Sequence, residues 1–77
     1  MLVNKVNSDN KKISLKEKEL VFIKHACTEM TYKEIASEMC LSPKTIDGYR
    51  ESLFDKLEIK TRIGLVLYAV KNKIVFV

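Results

Sequence analysis

One histidine, two cysteines, two glycines, one proline and no tryptophan occur in 77 residues, and each shortage removes a class of function. A lone histidine, His25, beside Cys27 and Cys40 fits no zinc spacing, so no metal centre is expected. The same scarcity leaves no nucleophile paired with a base, and two glycines make no phosphate-cradling loop, so an enzyme is the poorest candidate and no cofactor is expected. Both cysteines read as reduced, packed thiols. No apolar run approaches about 18 residues and no signal-peptide pattern opens the chain, so the expectation is a soluble, cytoplasmic protein with no membrane partner. Few glycines, one proline and no sustained alternation of apolar with polar residues argue against a sheet and for an all-α fold.

What is present suits one small helical domain. Hydrophobic residues make up 47% of the chain, enough for a thin core at this length. The formal charge is +4, which favours a polyanionic partner. Residues 1–14 supply +2 of it, from Lys5, Lys11 and Lys12 against Asp9, and the remainder supplies +2 from eleven bases and nine acids. A surface that faces nucleic acid must therefore be made by placing charge rather than by excess. Residues 1–12, with their Asn-Ser-Asp-Asn cluster, read as a linker or flexible N-terminal arm, and residues 13–77 as the folded domain.

The first helix is expected over about 16–28, where Leu15, Glu19, Phe22, Ile23 and Ala26 recur at helical spacing; Ser14 with Glu17 offers a capping box, and a start two residues later is the alternative. His25 falls beside that stripe and reads as a half-buried histidine at the core edge. Thr31 and Glu34 form a cleaner capping box for a helix over about 32–39. Only Cys40 and Leu41 separate it from Ser42-Pro43, a cap followed by proline at the first helical position. A third helix is expected over about 43–57. Ile46, Tyr49, Leu53, Phe54 and Leu57 form its inward stripe, and Lys44, Asp47, Gly48 and Glu51 lie opposite. Thr61 can cap a fourth helix over about 62–72, and Ile74 to Val77 form an apolar tail.

A helix, a two-residue turn and a second capped helix make a helix-turn-helix, and Ala36 is small enough for a close crossing. Such a motif holds one helix proud of the surface, where it fits a major groove about 12 Å wide. From Leu15 onward the chain resembles the LuxR/GerE-type DNA-binding domain, most often the output domain of two-component response regulators. The matching residues are Leu15 with Glu17-Lys18-Glu19, Lys33-Glu34-Ile35-Ala36, Leu41-Ser42-Pro43-Lys44-Thr45-Ile46, Lys56-Leu57, Arg62, and Leu65 through Ala69.

The resemblance implies a compact four-helix domain that binds double-stranded DNA as a transcriptional regulator, with its third helix in the major groove. It places base-facing roles on Lys44, Asp47, Gly48 and Glu51. Contacts to the DNA backbone fall on Thr31, Lys33, Ser42, Thr45, Arg50, Lys56, Lys60 and Arg62. It also implies a homodimer through the fourth helix, an upstream receiver domain and contact with RNA polymerase. This chain departs from the family by placing acids at Asp47 and Glu51, where many members carry a basic residue or another donor. Glu29 stands where the family usually has glycine, which predicts a looser turn. Two readings of the acids stand side by side: acceptors for the N4 amino group of cytosine, or charges that disfavour wrong sites.

Ile63, Val66, Leu67 and Val70 give the fourth helix more apolar surface than its own core needs, and they form the candidate dimer interface. The alternative cover is the apolar tail or another domain. Two rival functions remain: a protein-capturing module that no longer holds DNA, and the promoter-reading end of a sigma factor, against which the fourth helix argues.

Overall fold

The protein's computed structural model describes residues 14–76; the expected N-terminal arm and Val77 lie outside them. Four helices follow in order: α1, Glu17–Ala26; α2, Tyr32–Glu38; α3, Pro43–Leu57; α4, Arg62–Lys71. Among the described residues there is no strand, so the all-α expectation holds. No helix there is long and apolar enough to cross a membrane.

The core is assembled from the periodic apolar positions of all four helices. Phe22, Ile23 and Ala26 of α1 meet Ile35 and Ala36 of α2, Ile46, Leu53 and Leu57 of α3, and Leu65 and Ala69 of α4. α1 packs against each of the other three, and α2 packs against α3. Ala36, 2% exposed, keeps the α2–α3 crossing close, and its carbonyl accepts from the Leu41 N–H at 2.8 Å. His25 is half-buried, as its place beside the stripe predicts.

Local chemistry sets most boundaries. The Thr31 hydroxyl accepts from the Glu34 N–H at 3.1 Å and the Glu34 carboxylate accepts from the Thr31 N–H at 2.8 Å, the expected reciprocal box. Ser42 caps α3 by accepting from the Thr45 N–H at 3.1 Å, Pro43 is its first residue, and Thr61 caps α4 through Gly64 at 3.0 Å. At α1 the box is displaced. The cap position is Lys16, whose N–H donates to Glu19 Oε1 at 2.9 Å. Ser14 is not the cap, because Glu19 is the carboxylate that the fold buries.

Three helices end in the same way, without glycine. Leu41, Ile59 and Ile74 donate back to Ala36, Phe54 and Ala69, and Cys40, Glu58 and Lys73 take the left-handed conformation at φ of 58°, 58° and 59°. This is the Schellman closure, which glycine makes without strain. A side chain there opposes folding by about 1 kcal/mol. Glu58→Gly is therefore expected to raise stability by about 0.5–1 kcal/mol, seen as a higher urea midpoint with an unchanged slope. A lower midpoint would mean that the Glu58 side chain contributes more than its backbone strain removes.

α1 ends differently. Its C-cap, Cys27, has φ of −87°, and no left-handed residue follows among positions 28–30. The packed-thiol expectation holds for Cys27, which is half-buried against the core. Burial raises its thiol above the ordinary value, opposed by nearby Arg62. Cys40 corrects that expectation: it is exposed, because the left-handed turn carries its side chain off the core.

Candidate nucleic-acid interface

α3 has two unlike sides. Ile46, Leu53 and Leu57 are buried, whereas Lys44, Thr45, Asp47, Gly48 and Glu51 are exposed. The four residues expected to face bases thus share one open face of a helix anchored from behind. At its N-terminus the Ser42 and Thr45 hydroxyls lie 2.9 Å apart, beside first-turn amides and a dipole end that favour anions.

The cations expected on the DNA backbone divide into two groups. Lys33 and Lys60 are exposed, as is the base-facing Lys44, and none of the three enters an ion pair among the described residues. Three others are held within the fold. Arg50 Nη1 lies 3.1 Å from Asp47 Oδ1 and its Nη2 3.7 Å from Glu51 Oε2. Lys56 Nζ lies 3.1 Å from Glu19 Oε2.

Arg62 faces inward. Its Nε donates to the Ala26 carbonyl at 2.9 Å, and its Nη2 to the carbonyls of Thr28, at 3.0 Å, and Met30. Lys56 and Arg62, both expected on the DNA backbone, thus have partners inside the fold as well. One neutralises a buried carboxylate, and the other satisfies carbonyls that α1 leaves open at its C-terminus. Arg62 also answers the expected looseness at Glu29, since it holds the 27–30 turn from across the domain.

Two features of this network escape sequence reasoning. Glu19, 6% exposed, is the core's buried acid. Burial raises its pKa, but the Lys16 N–H and the Lys56 ammonium outweigh that and hold it below the ordinary value. Its inward position on the α1 stripe was a signal that a cation must lie opposite; which cation was not. The second is Tyr32, whose ring centre lies 5.1 Å from the Arg50 guanidinium and 4.9 Å from that of Arg62. Nothing local marks a tyrosine as a platform for two cations.

Gly48 lies inside α3 with φ in the ordinary helical range, and a Cβ built there meets nothing within 4 Å. Glycine in a helix interior is about 0.5–1 kcal/mol less stable than alanine, so packing does not ask for it. Gly48→Ala is expected to raise stability by about that amount and, if the backbone approaches base edges here, to weaken DNA binding. Unchanged or tighter binding would remove the close-approach role.

On α4, Ile63 and Leu67 are 71% and 64% exposed, while Val66 and Val70 are half-buried. Ile74 and Val75 of the tail pack against the core and leave Ile63 and Leu67 open, so the described part of the tail is not their cover. Among the described residues no three His, Cys, Asp or Glu side chains gather as a metal site requires.

Comparison with known proteins agrees with this geometry. Residues 13–69 match the family described as bacterial regulatory proteins, luxR family. The DNA-binding transcriptional activator EvgA of Escherichia coli K12 is 33% identical over 73 residues, 94% of this chain and 36% of that protein. The response regulator GacA of Pseudomonas aeruginosa is 36% identical over 62 residues, 80% of this chain and 29% of that protein. The chain thus spans about a third of the length of these relatives. No solved structure matches significantly. With its helix-turn-helix, its buried stripe and most of its length inside one family pattern, the chain belongs to the luxR family of bacterial regulatory proteins.

Proposed function

We propose that this domain binds double-stranded DNA sequence-specifically as a transcriptional regulator, laying the open face of α3 in the major groove. The observation that carries this reading is that face itself: Lys44, Asp47, Gly48 and Glu51 stand exposed on a helix whose other side is locked into the core. Lys44, Asp47 and Gly48 lead the approach. Farther along, Glu51, Asp55 and Glu58 line a shallow groove with Phe54, Ile59 and Lys60, a net acidic surface whose one cation is Lys60. Lys33 and Lys60, the hydroxyls of Thr31, Ser42 and Thr45 and the N-terminus of α3 take the flanking phosphates. Arg50 leaves the phosphate-contacting set, because it serves the two acids. Lys56 and Arg62 leave it for the fold.

The exposed apolar pair Ile63 and Leu67, with Val66 and Val70 beside it, supports a two-fold homodimer through α4. Likeness to a transcriptional activator and to a response regulator supports an output role in a cytoplasmic phosphorelay, with a receiver domain upstream and RNA polymerase as a further partner.

Binding to random duplex across a salt series tests the reading. Each phosphate neutralised contributes about −0.9 to the slope of log affinity against log salt. Contacts by Lys33 and Lys60 therefore give roughly −2 per protomer and about twice that for a dimer. A flat line would sink the DNA reading and favour the protein-capturing alternative, while a strictly monomeric species in sedimentation, on and off DNA, would remove the dimer.

A further inference from the structure

The DNA-reading role proposed above can be taken to the level of one base. Asp47 and Glu51 stand one turn apart on the open face, where two lone carboxylates would oppose each other and a duplex. Arg50 lies between them, 3.1 Å from Asp47 Oδ1 and 3.7 Å from Glu51 Oε2. It is itself restrained: its side chain is 28% exposed, and its guanidinium sits 5.1 Å from the Tyr32 ring centre. Tyr32 in turn stacks on the buried Phe22, with centroids 6.2 Å apart and planes 11° from parallel. A continuous set of contacts runs from the core to the Asp47 carboxylate.

We infer that Arg50 is a positioning residue that holds Asp47 as a hydrogen-bond acceptor for the N4 amino group of a cytosine, so that the domain selects a G·C pair at one position of its site. The ion pair offsets the carboxylate's charge near phosphates. It engages Oδ1, and among the described residues Oδ2 accepts no hydrogen bond. In the major groove guanine offers O6 and N7 and thymine O4, all acceptors that repel a carboxylate. Adenine sets its amino group beside the N7 acceptor, a pattern that suits an amide, whereas cytosine offers its amino group without N7. Asp47 lies near the start of α3, the part of a recognition helix that meets base edges. Glu51 is more exposed, at 75% against 53% for Asp47, is held less closely, and continues into the acidic groove.

Selection from a randomised duplex pool tests this, with the unsubstituted chain, Asp47→Asn and Arg50→Lys, each checked for folding by thermal melting. The unsubstituted chain is expected to prefer cytosine over adenine at one position by about tenfold. Asp47→Asn, an exposed substitution of the same shape, is expected to move that preference to adenine. Arg50→Lys keeps the charge but loses the planar fork and its seat on Tyr32. It is expected to reduce the cytosine preference several-fold while affinity for random duplex stays within about twofold. If sites are selected but Asp47→Asn changes no position, the cytosine reading falls while DNA binding stands. Asp47→Asn acting as expected while Arg50→Lys leaves the preference intact would overturn the positioning role. Absence of salt-dependent binding by the unsubstituted chain would remove both this inference and the DNA reading beneath it.

Discussion

Arg62→Ala is expected to lower the stability of the domain by about 2–4 kcal/mol, the largest effect of any single substitution considered. The side chain supplies hydrogen bonds to the carbonyls of Ala26, Thr28 and Met30, each charge-assisted, and lies over Tyr32. These carbonyls belong to the C-terminal end of α1 and the turn after it, where a cation also meets the negative end of the helix dipole. The other three helices close with a left-handed residue, whereas α1 does not, so Arg62 takes over the work of a C-cap. A domain of this size holds roughly 4–11 kcal/mol in all, so the loss is a large share of it. Thermal melting should show a midpoint lower by roughly 10–25 °C. An unchanged midpoint, with a salt slope reduced by about 1, would mean that Arg62 serves phosphate instead.

Lys56→Met should destabilise by about 2 kcal/mol at neutral pH, because it leaves the buried Glu19 carboxylate without its cation. The estimate sits below that for a fully buried pair because the Lys56 side chain is 33% exposed. The pH dependence separates this account from simple loss of packing. In the unsubstituted chain Glu19 has a folded pKa below its ordinary value of 4.5. The stabilisation is therefore fully present above that value and lost as pH falls through the depressed folded one. Removing Lys56 takes away an influence that lowers the pKa while burial still raises it, so Glu19 protonates at higher pH in the variant. The deficit relative to the unsubstituted chain should therefore shrink as pH drops from 7 toward 4. A deficit independent of pH in urea titrations would point to lost packing of the lysine stem instead.

The family resemblance places both side chains on the DNA backbone, and both have partners within the fold as well. One local signal points to the inward role of Arg62. It is the first residue of α4, where the helix dipole disfavours a cation, so its position asks for a tertiary reason. The carbonyl end of α1 supplies it, 32 to 36 residues away in the chain. For Lys56 the signal lay on the other partner, an acid set among apolar positions of α1.

Short-range chemistry made other parts legible. α3 runs from Pro43 to Leu57, as predicted, because Ser42 and Pro43 fix its start and Leu57 is the last residue of its apolar stripe. At the start of α1 two overlapping acid pairings compete, Ser14 with Glu17 and, two residues later, Lys16 with Glu19, and the fold takes the later one. Local sequence ranks serine as the better cap; burial of Glu19 reverses the order. The predicted end of α1 was late, at about residue 28 against Ala26.

Sequence alone determined the number, order and facing of the helices, the helix-turn-helix, and the open face with Lys44, Asp47, Gly48 and Glu51, because caps and 3.6-residue periodicity act within a few positions. Tertiary structure decided which charges remain available. Glu19 with Lys56, Arg62 with the end of α1, and Arg50 with Tyr32 are pairings between helices, and Arg50's grip on Asp47 depends on one of them. A charged side chain can reach several partners, and only the packing of helices distant in the chain selects among them.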